Sequence, residues 1–510
     1  MTRPAPITQL PHGPLTIYLA SLDGAADLSL FVRGLPADCP VMWLDSARHH
    51  AVTGRWSMVG VDPWMTLIAR GDRIEWRTSA TTHRWRAHPL EALRALLRRY
   101  QAAPGQPFAS VVGLMGWLSY ELNRWIERLP PPHAQEQALP EMGWCGMRVN
   151  LLVDHRRQRS WVVSVVDPHR PASAAHREAV SALHRVIDQW GDWCQTQEGS
   201  SADAGTGDDQ PPWPSETSLR ATTTQAAFEA MVACALACIR AGDIFQANLS
   251  QQFTMSWSAP AWPLYQALRR INPSPFACFL SWDDLAVVSG SPERLVRVHG
   301  GRIETRPIAG TRPRGATPVE DAMHSLDLLL SEKERAEHVM LVDLARNDLG
   351  RVCATGSVRV GEFMTIEEYS HVQHIVSNVA GSLRPGADAV EVIRSLFPGG
   401  TITGCPKVRC MQIIQELEPV PRGLYTGSLG YVGFDGTMDL NIVIRTMVIQ
   451  RQMLSLHVGA GIVADSQPDR EYQETLAKAA ALMHALRKVG GSLRATGQRK
   501  RTPVAFHAGF

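Results

Sequence analysis

The 510-residue sequence predicts an α+β fold in which antiparallel sheet carries helices on its outside. Three observations predict it. Hydrophobic residues make up 45% and charged residues 20%, an ordinary balance with ample material for a buried core. Short apolar runs follow one another through turns, the pattern of antiparallel strands. A few longer stretches instead repeat their apolar residues every three or four positions, as helices do.

The strands come first. VMWLDS (41–46), GRWSMVGVDP (54–63), MTLIA (65–69), VVGLMGWLSY (111–120), MRVNLLVDH (147–155) and SWVVSVV (160–166) alternate with turns, and one helix, Leu90–Tyr100, interrupts them. Residues 196–218 (TQEGSSADAGTGDDQPPWPSETS) are poor in aliphatic side chains and rich in Gly, Ser, Asp and Pro, which predicts a solvated linker or long loop. Beyond it, helices over 224–242 and 331–350 sit among strands such as LAVVSG, LVRVHG and SLHVGAGIV. The expected organisation is therefore an N-terminal region over 1–195, the linker over 196–218, a C-terminal region over 219–490 that holds the site, and a frayed basic tail over 491–510.

With 51 basic and 49 acidic side chains, the formal charge of +2 gives no electrostatic case for nucleic acid or a membrane surface. The N-terminus lacks a secretory signal's long apolar segment, and no stretch approaches the length of a membrane span. The nine cysteines form no metal-knuckle pattern; Cys234 and Cys238 read as small residues on a buried helix face. A reduced, cytoplasmic setting is expected.

Candidate chemistry concentrates after residue 240. Glu334 and Glu337, and again Glu471 and Glu474, lie at i, i+3 spacing, so each pair presents two carboxylates on one helix face. Two such faces brought together would form an all-oxygen cage suited to Mg²⁺; spacing alone favours two solvated faces over that cage. Glycine-rich turns are expected at 307–315, 397–407 and 458–466, where backbone can approach an anion closely, but none has nucleotide-binding spacing. Arg445 and Lys478, set among apolar or small residues, read as buried cations for a carboxylate-bearing substrate.

Eight segments in order, GDIFQANLSQQF, SGSPERLVRV, ETRPIAGTRPRG, EKERAEHVMLVDLARNDLGRV, YSHVQHIVSNVAG, FPGGTITGCPKVRCMQIIQELEPV, YTGSLGYVGFDGTMDLNIVIRT and GAGIVADSQPDREYQETLAKA, resemble the chorismate-utilising enzyme family over nearly all of 218–490. WLDSARHHAVTGRWSMVGVDP and GLMGWLSYELNRWIERLP resemble its N-terminal companion region. The resemblance implies an α/β sandwich, two antiparallel sheets flanked by helices with the active site between them. It also implies residue roles. Glu337 and Glu474 match the Mg²⁺ ligands, with Glu334 and Glu471 as outer carboxylates. Tyr425, Arg445, the Gly459–Ala460–Gly461 turn and Lys478 match the cradle of the enolpyruvyl carboxylate. Glu293 matches the general acid that protonates the departing 4-hydroxyl, and His374, Thr401, Gly310 and Thr311 match further pocket positions.

The resemblance also bears on the nucleophile. Gln246 stands where isochorismate and salicylate synthases place a lysine base that activates water, so amination by ammonia from a separate glutamine amidotransferase subunit is expected. Asn248, Arg294, NPSPFACF, WIERLP and DLNIVIRT resemble the aminodeoxychorismate synthases of 4-aminobenzoate and folate biosynthesis, which aminate C4. Ala309, where many of those carry a nucleophilic lysine, and Thr401, where serine is frequent, resemble the anthranilate synthases of tryptophan biosynthesis. C4 amination is the expectation and C2 amination the alternative. Asp45 and Ser46 fall where anthranilate synthases carry a tryptophan-inhibition element and make a candidate tryptophan site.

Overall fold

The computed structural model describes residues 6–36, 38–47, 53–103, 108, 111–131, 139–199, 219–368 and 372–489. The expected α+β class is what the chain adopts: among the described residues every strand pairing is antiparallel, and the 23 strands belong to one hydrogen-bonded network. That network resolves into two sheets because two long strands, Trp56–Arg70 and Met142–Asp154, run from one sheet into the other. Their register slips between Pro63 and Met65, where Asp62 takes φ 56°; a bulge of this kind lets a strand turn a corner. The strands expected separately at 54–63 and 65–69 are therefore one, since Asp62-Pro63 forms a bulge and not a turn.

The first sheet runs from Thr8–His12 through Leu15–Asp23 and Arg159–Val165 to the corner strands, then through Val41–Asp45, Phe276–Trp282, Leu285–Ser291, Thr446–Gln450 and Met453–Ile462 to Gln246–Ser256. The second runs from Thr82–Arg86 and Arg73–Thr78 to the corner strands, then through Gly113–Leu118, Ser428–Gly433, Met438–Asn441, Arg294–His299 and Arg302–Thr305 to Val372–Ser382. Ile308–Pro313 and Arg359–Glu368 flank that last strand. Each sheet thus mixes strands from both halves of the sequence.

Side-chain alternation builds the layers. From Phe276–Trp282, Cys278 and Leu280 join the core between the sheets, while Phe279 joins a second core on the other face. Trp117 of the second sheet meets Trp282 of the first edge-to-face at 5.2 Å. The second core lies beneath Ala172–Gly199, Ala261–Ile271 and Pro468–Val489, through Leu183, Trp190, Tyr265, Leu268, Leu482 and Leu486. The first of these helices is a miss of the sequence reading. Its buried stripe of Ala175, Ala179, Ala182, Leu183 and Val186 is mostly alanine, which weakens the periodic signal.

The helix 90–100 is present as Pro89–Arg99, and those over 224–242 and 331–350 as Gln225–Arg240 and Glu332–Gly350. Cys234 is exposed and Cys238 half-buried, which corrects the expected burial: the inner face is taken by Phe228, Met231, Val232, Ala235 and Leu236. The predicted linker begins inside a helix that runs to Gly199; its residues 200–218 and the predicted tail lie outside the described residues. Among the described residues, no helix is long and apolar enough to cross a membrane.

Candidate active site

Two chain segments cross between the sheets side by side. One joins Leu285–Ser291 to Arg294–His299 and carries Glu293; the other joins Met438–Asn441 to Thr446–Gln450 and carries Arg445. Backbone bonds from Ile442 N to Glu293 O and from Gly290 N to Arg445 O, both 3.0 Å, tie them together. Arg294, 7% exposed, reinforces the crossing with two bonds of 2.9 Å to Asp439.

Glu293 is 6% exposed, and Thr401 Oγ1, in the short turn Gly400–Ile402, donates to its Oε1 at 2.7 Å. Burial pushes its carboxyl up to about 7, against the lowering effects of the Thr401 bond, Arg445 and Lys478. A carboxyl so placed is a proton donor near neutral pH.

The second sheet supplies the opposite wall. Ala309 and Thr311 lie on Ile308–Pro313, paired with Ile375 and His374, and Gly310 occupies the bulge between them at φ 66°. The expected turn at 307–315 is therefore largely strand, and a Cβ at Gly310 would sit 3.0 Å from Glu334 Oε2. His374 Nδ1 lies 3.1 Å from Gly310 O and 3.0 Å from Thr311 Oγ1. Burial, with Arg445 and Lys478 beside it, lowers its imidazole to about 4, so the ring is neutral. A carbonyl can only accept, so Nδ1 carries the proton and Nε2 presents a lone pair.

Gln246 and the glycines come from the first sheet. The segment 459–461, expected as a turn, is strand within Met453–Ile462, with Ser250 opposite Gly459 and Asn248 opposite Gly461. These glycines serve close approach: a Cβ at Gly459 would lie 2.6 Å from the Tyr425 hydroxyl, and one at Gly461 2.7 Å from Gln246 Nε2. Ala460 is fully buried in an apolar cluster with Phe228 and Leu249, so it offers the cleft only backbone. Tyr425 stacks on His457 at 5.2 Å. The cation reading needs correction: Lys478 is exposed and Arg445 half-buried; Lys478 faces the open cleft from Pro468–Val489, donating to Gly459 O at 3.1 Å and Glu474 Oε1 at 2.8 Å.

Each acid pair spans the first two turns of its helix, Glu332–Gly350 or Pro468–Val489. Glu334 and Glu471 lie in the first turns, where the helix dipole favours carboxylates, and Glu337 and Glu474 one turn further on. Burial first, then neighbouring Glu334, raises Glu337; burial first, then Glu474 among other influences, raises Glu471. Lys333 and Lys478 act on both, so the two helix starts face each other across the cleft. Gln246 Nε2 donates to Glu337 Oε1 at 3.0 Å, Arg312 pairs with Glu334 at 3.2 Å, and Glu471 Oε2 is buried without a hydrogen-bond partner. Among the described residues, no three carboxylate, histidine or cysteine side chains converge on one point. The donor set nonetheless fits a hard cation: all-oxygen, mutually repelling, with a buried orphan oxygen.

Asp45 and Ser46 lie apart from this cleft. Buried Asp45 Oδ2 accepts from Tyr265 OH at 2.9 Å and Arg269 Nε at 2.6 Å, and Asp45 borders a cavity of about 260 Å³ with Trp43, Asp27, Ser57 and Arg269. Burial raises the Asp45 carboxyl, with Arg269 and Tyr265 opposing. Ser46 Oγ instead donates to Trp56 O at 2.6 Å. Sequence reading missed Arg269, and also the buried pair Glu418–Arg422 beneath the cleft; the only sign of the latter was two opposite charges at i, i+4 in the proline-rich stretch EPVPR.

The family model for chorismate binding enzyme matches residues 39–484. Aminodeoxychorismate synthase component 1 of Bacillus subtilis is 39% identical over 457 residues, 86% of this chain and 92% of that protein. Anthranilate synthase component 1 of Cereibacter sphaeroides is also 39% identical, over 485 residues, 92% of this chain and 94% of that one. Among solved structures, anthranilate synthase component I from Streptococcus pneumoniae superposes with a TM-score of 0.72 at 30% identity, covering 85% of this chain and 93% of the other.

Proposed function

Because this chain belongs to the chorismate binding enzyme family, we propose that it aminates chorismate at C4, giving 4-amino-4-deoxychorismate for 4-aminobenzoate and folate biosynthesis. The observation that carries this reading is Glu293, a buried carboxyl that keeps its proton to about pH 7 at the crossing of the two sheets. It is placed to protonate a departing hydroxyl, which leaves as water. The nucleophile is ammonia, because Gln246, 3% exposed and bonded to Glu337, cannot deprotonate water. The proton that ammonia sheds on adding to C4 balances the one Glu293 gives. A separate glutamine amidotransferase subunit supplies the ammonia.

Arg445, Tyr425, Lys478 and the backbone of Gly459–Gly461 are the proposed cradle for the enolpyruvyl carboxylate, and His374, Thr311 and Gly310 border the ring. Glu337 and Glu474, with Glu334 and Glu471 around them, would hold Mg²⁺. When bound, it would neutralise the ring carboxylate. C4 is favoured because two features that resemble the aminodeoxychorismate synthases, Arg294 and the DLNIVIRT segment, meet in the Arg294–Asp439 pair beside Glu293. The second reading, C2 amination to anthranilate, is favoured by Ala309, which is 7% exposed and offers no nucleophile. The cavity beside Asp45 is the proposed place for tryptophan.

Product identity tests the proposal. Purified protein with chorismate, Mg²⁺ and ammonium near neutral pH should form a product that added aminodeoxychorismate lyase converts to 4-aminobenzoate. Anthranilate formed without the lyase would replace the first reading by the second.

A further inference from the structure

Arg422 lies below the cleft, where the helix Lys407–Leu417 has ended and the chain turns toward Tyr425. Its side chain is 1% exposed. A guanidinium has five N–H donors, and here all five are used. Nε donates to Glu418 Oε2 (2.8 Å), Nη1 to Ile402 O (3.0 Å) and Thr426 Oγ1 (3.2 Å), and Nη2 to Glu418 Oε1 (2.6 Å) and Asn248 O (2.7 Å). Its plane lies 4.8 Å from the ring centre of Tyr120 and 5.6 Å from that of Tyr425. Glu418 is fixed in turn by Ser250, whose backbone N (2.7 Å) and Oγ (2.9 Å) both donate to Oε1.

Those partners belong to three different chain segments at the cleft. Asn248 follows Gln246 by two residues on the first-sheet strand, Ile402 follows Thr401, which holds Glu293, and Tyr425 places its hydroxyl against Gly459. We propose that Arg422, neutralised by Glu418, is a positioning residue that sets these three segments of the chorismate cleft in register. It rests on the reading of the cleft as the chorismate site. With 1% of its side chain exposed, Arg422 acts only through its partners. Its link through Ile402 and Thr401 bears on the chemical step, and its link through Tyr425 bears on substrate affinity. Lysine keeps the charge but has only three donors on one atom, so it cannot replace the fork.

The test is steady-state kinetics on folded Arg422→Lys and Glu418→Gln, with rates expressed per folded molecule. In both, kcat should fall at least about tenfold and KM for chorismate rise at least about fivefold, together at least about fiftyfold in kcat/KM, or about 2.3 kcal/mol of transition-state stabilisation. Glu418→Gln keeps the volume, and its carbonyl oxygen can still accept from Ser250 and Arg422 Nη2, so it is the second variant should the arginine one not fold. A purely structural role would reduce only the folded fraction and leave KM at the wild-type value, which overturns the proposal. Failure of both variants to fold would also overturn it, by assigning the pair to stability alone. Wild-type protein that does not consume chorismate would instead sink the functional reading.

Discussion

Glu293→Gln should lower kcat by about 10²–10⁴-fold while KM for chorismate changes little. Glutamine keeps the shape, and its carbonyl oxygen can still accept the Thr401 hydrogen bond, so the crossing segments and the carboxylate cradle stay in place. What disappears is the proton. The wild-type pH profile should carry the same signature. Burial raises this carboxyl to about 7, so the protonated form is complete well below that pH and is lost as pH rises through it. At fixed unprotonated ammonia, kcat/KM should fall above about pH 7, and that limb should be missing from Glu293→Gln. An effect confined to KM, or a limb that persists in the variant, would remove Glu293 from the chemical step.

The second large effect is expected from Glu471→Gln, and it runs in opposite directions with and without cation. Glu471 is held above its ordinary value by burial and by Glu474, among other influences, so neutralising it should stabilise the protein in the absence of Mg²⁺ near pH 7. With Mg²⁺, the wild type should gain stability as RT ln(1 + [Mg²⁺]/Kd), about 2.7 kcal/mol at one hundred times Kd, read as an upward shift of the thermal transition. The variant should lose most of that shift, and turnover should fall by about 10²–10³-fold, as when a preorganised charge is removed from a reacting centre. A full Mg²⁺ shift in the variant would place the cation elsewhere.

Much of the site was legible because it is written in local patterns. The i, i+3 carboxylates announce themselves by spacing, and each pair does lie near the start of a helix, with Ser331 capping one of them through its bond from Glu334 N. Glu293, Arg445 and Thr401 stood inside recognisable segments. What stayed hidden depends on contacts between distant segments. Lys478 read as buried from its neighbours, yet it faces an open cleft, which only the folded sheets create. The glycines at 459 and 461 read as a turn because glycine permits turns, but here they make room for Tyr425 and Gln246. Arg422 gathers partners at 248, 402, 418 and 426, and no window along the chain holds them all. The two-sheet architecture followed from family resemblance, whereas one of the two corner strands that create it, Trp56–Arg70, read as two because of Asp62-Pro63.

The sharing of strands between the two halves governs the life of the nascent chain. Val41–Asp45 pairs early with Trp56–Arg70, but its other edge waits for Phe276–Trp282; Gly113–Leu118, beside Met142–Asp154, waits on its other edge for Ser428–Gly433. At about 5–20 residues per second, the ribosome leaves those edges open for tens of seconds. Trp43 and Trp117, buried to 1% and 3% in the finished protein, emerge long before the segments that cover them. Slow, late closure of the sheets follows, with unpaired apolar edges exposed until the last third of the chain is made. A chaperone that binds such edges during translation would favour assembly over aggregation.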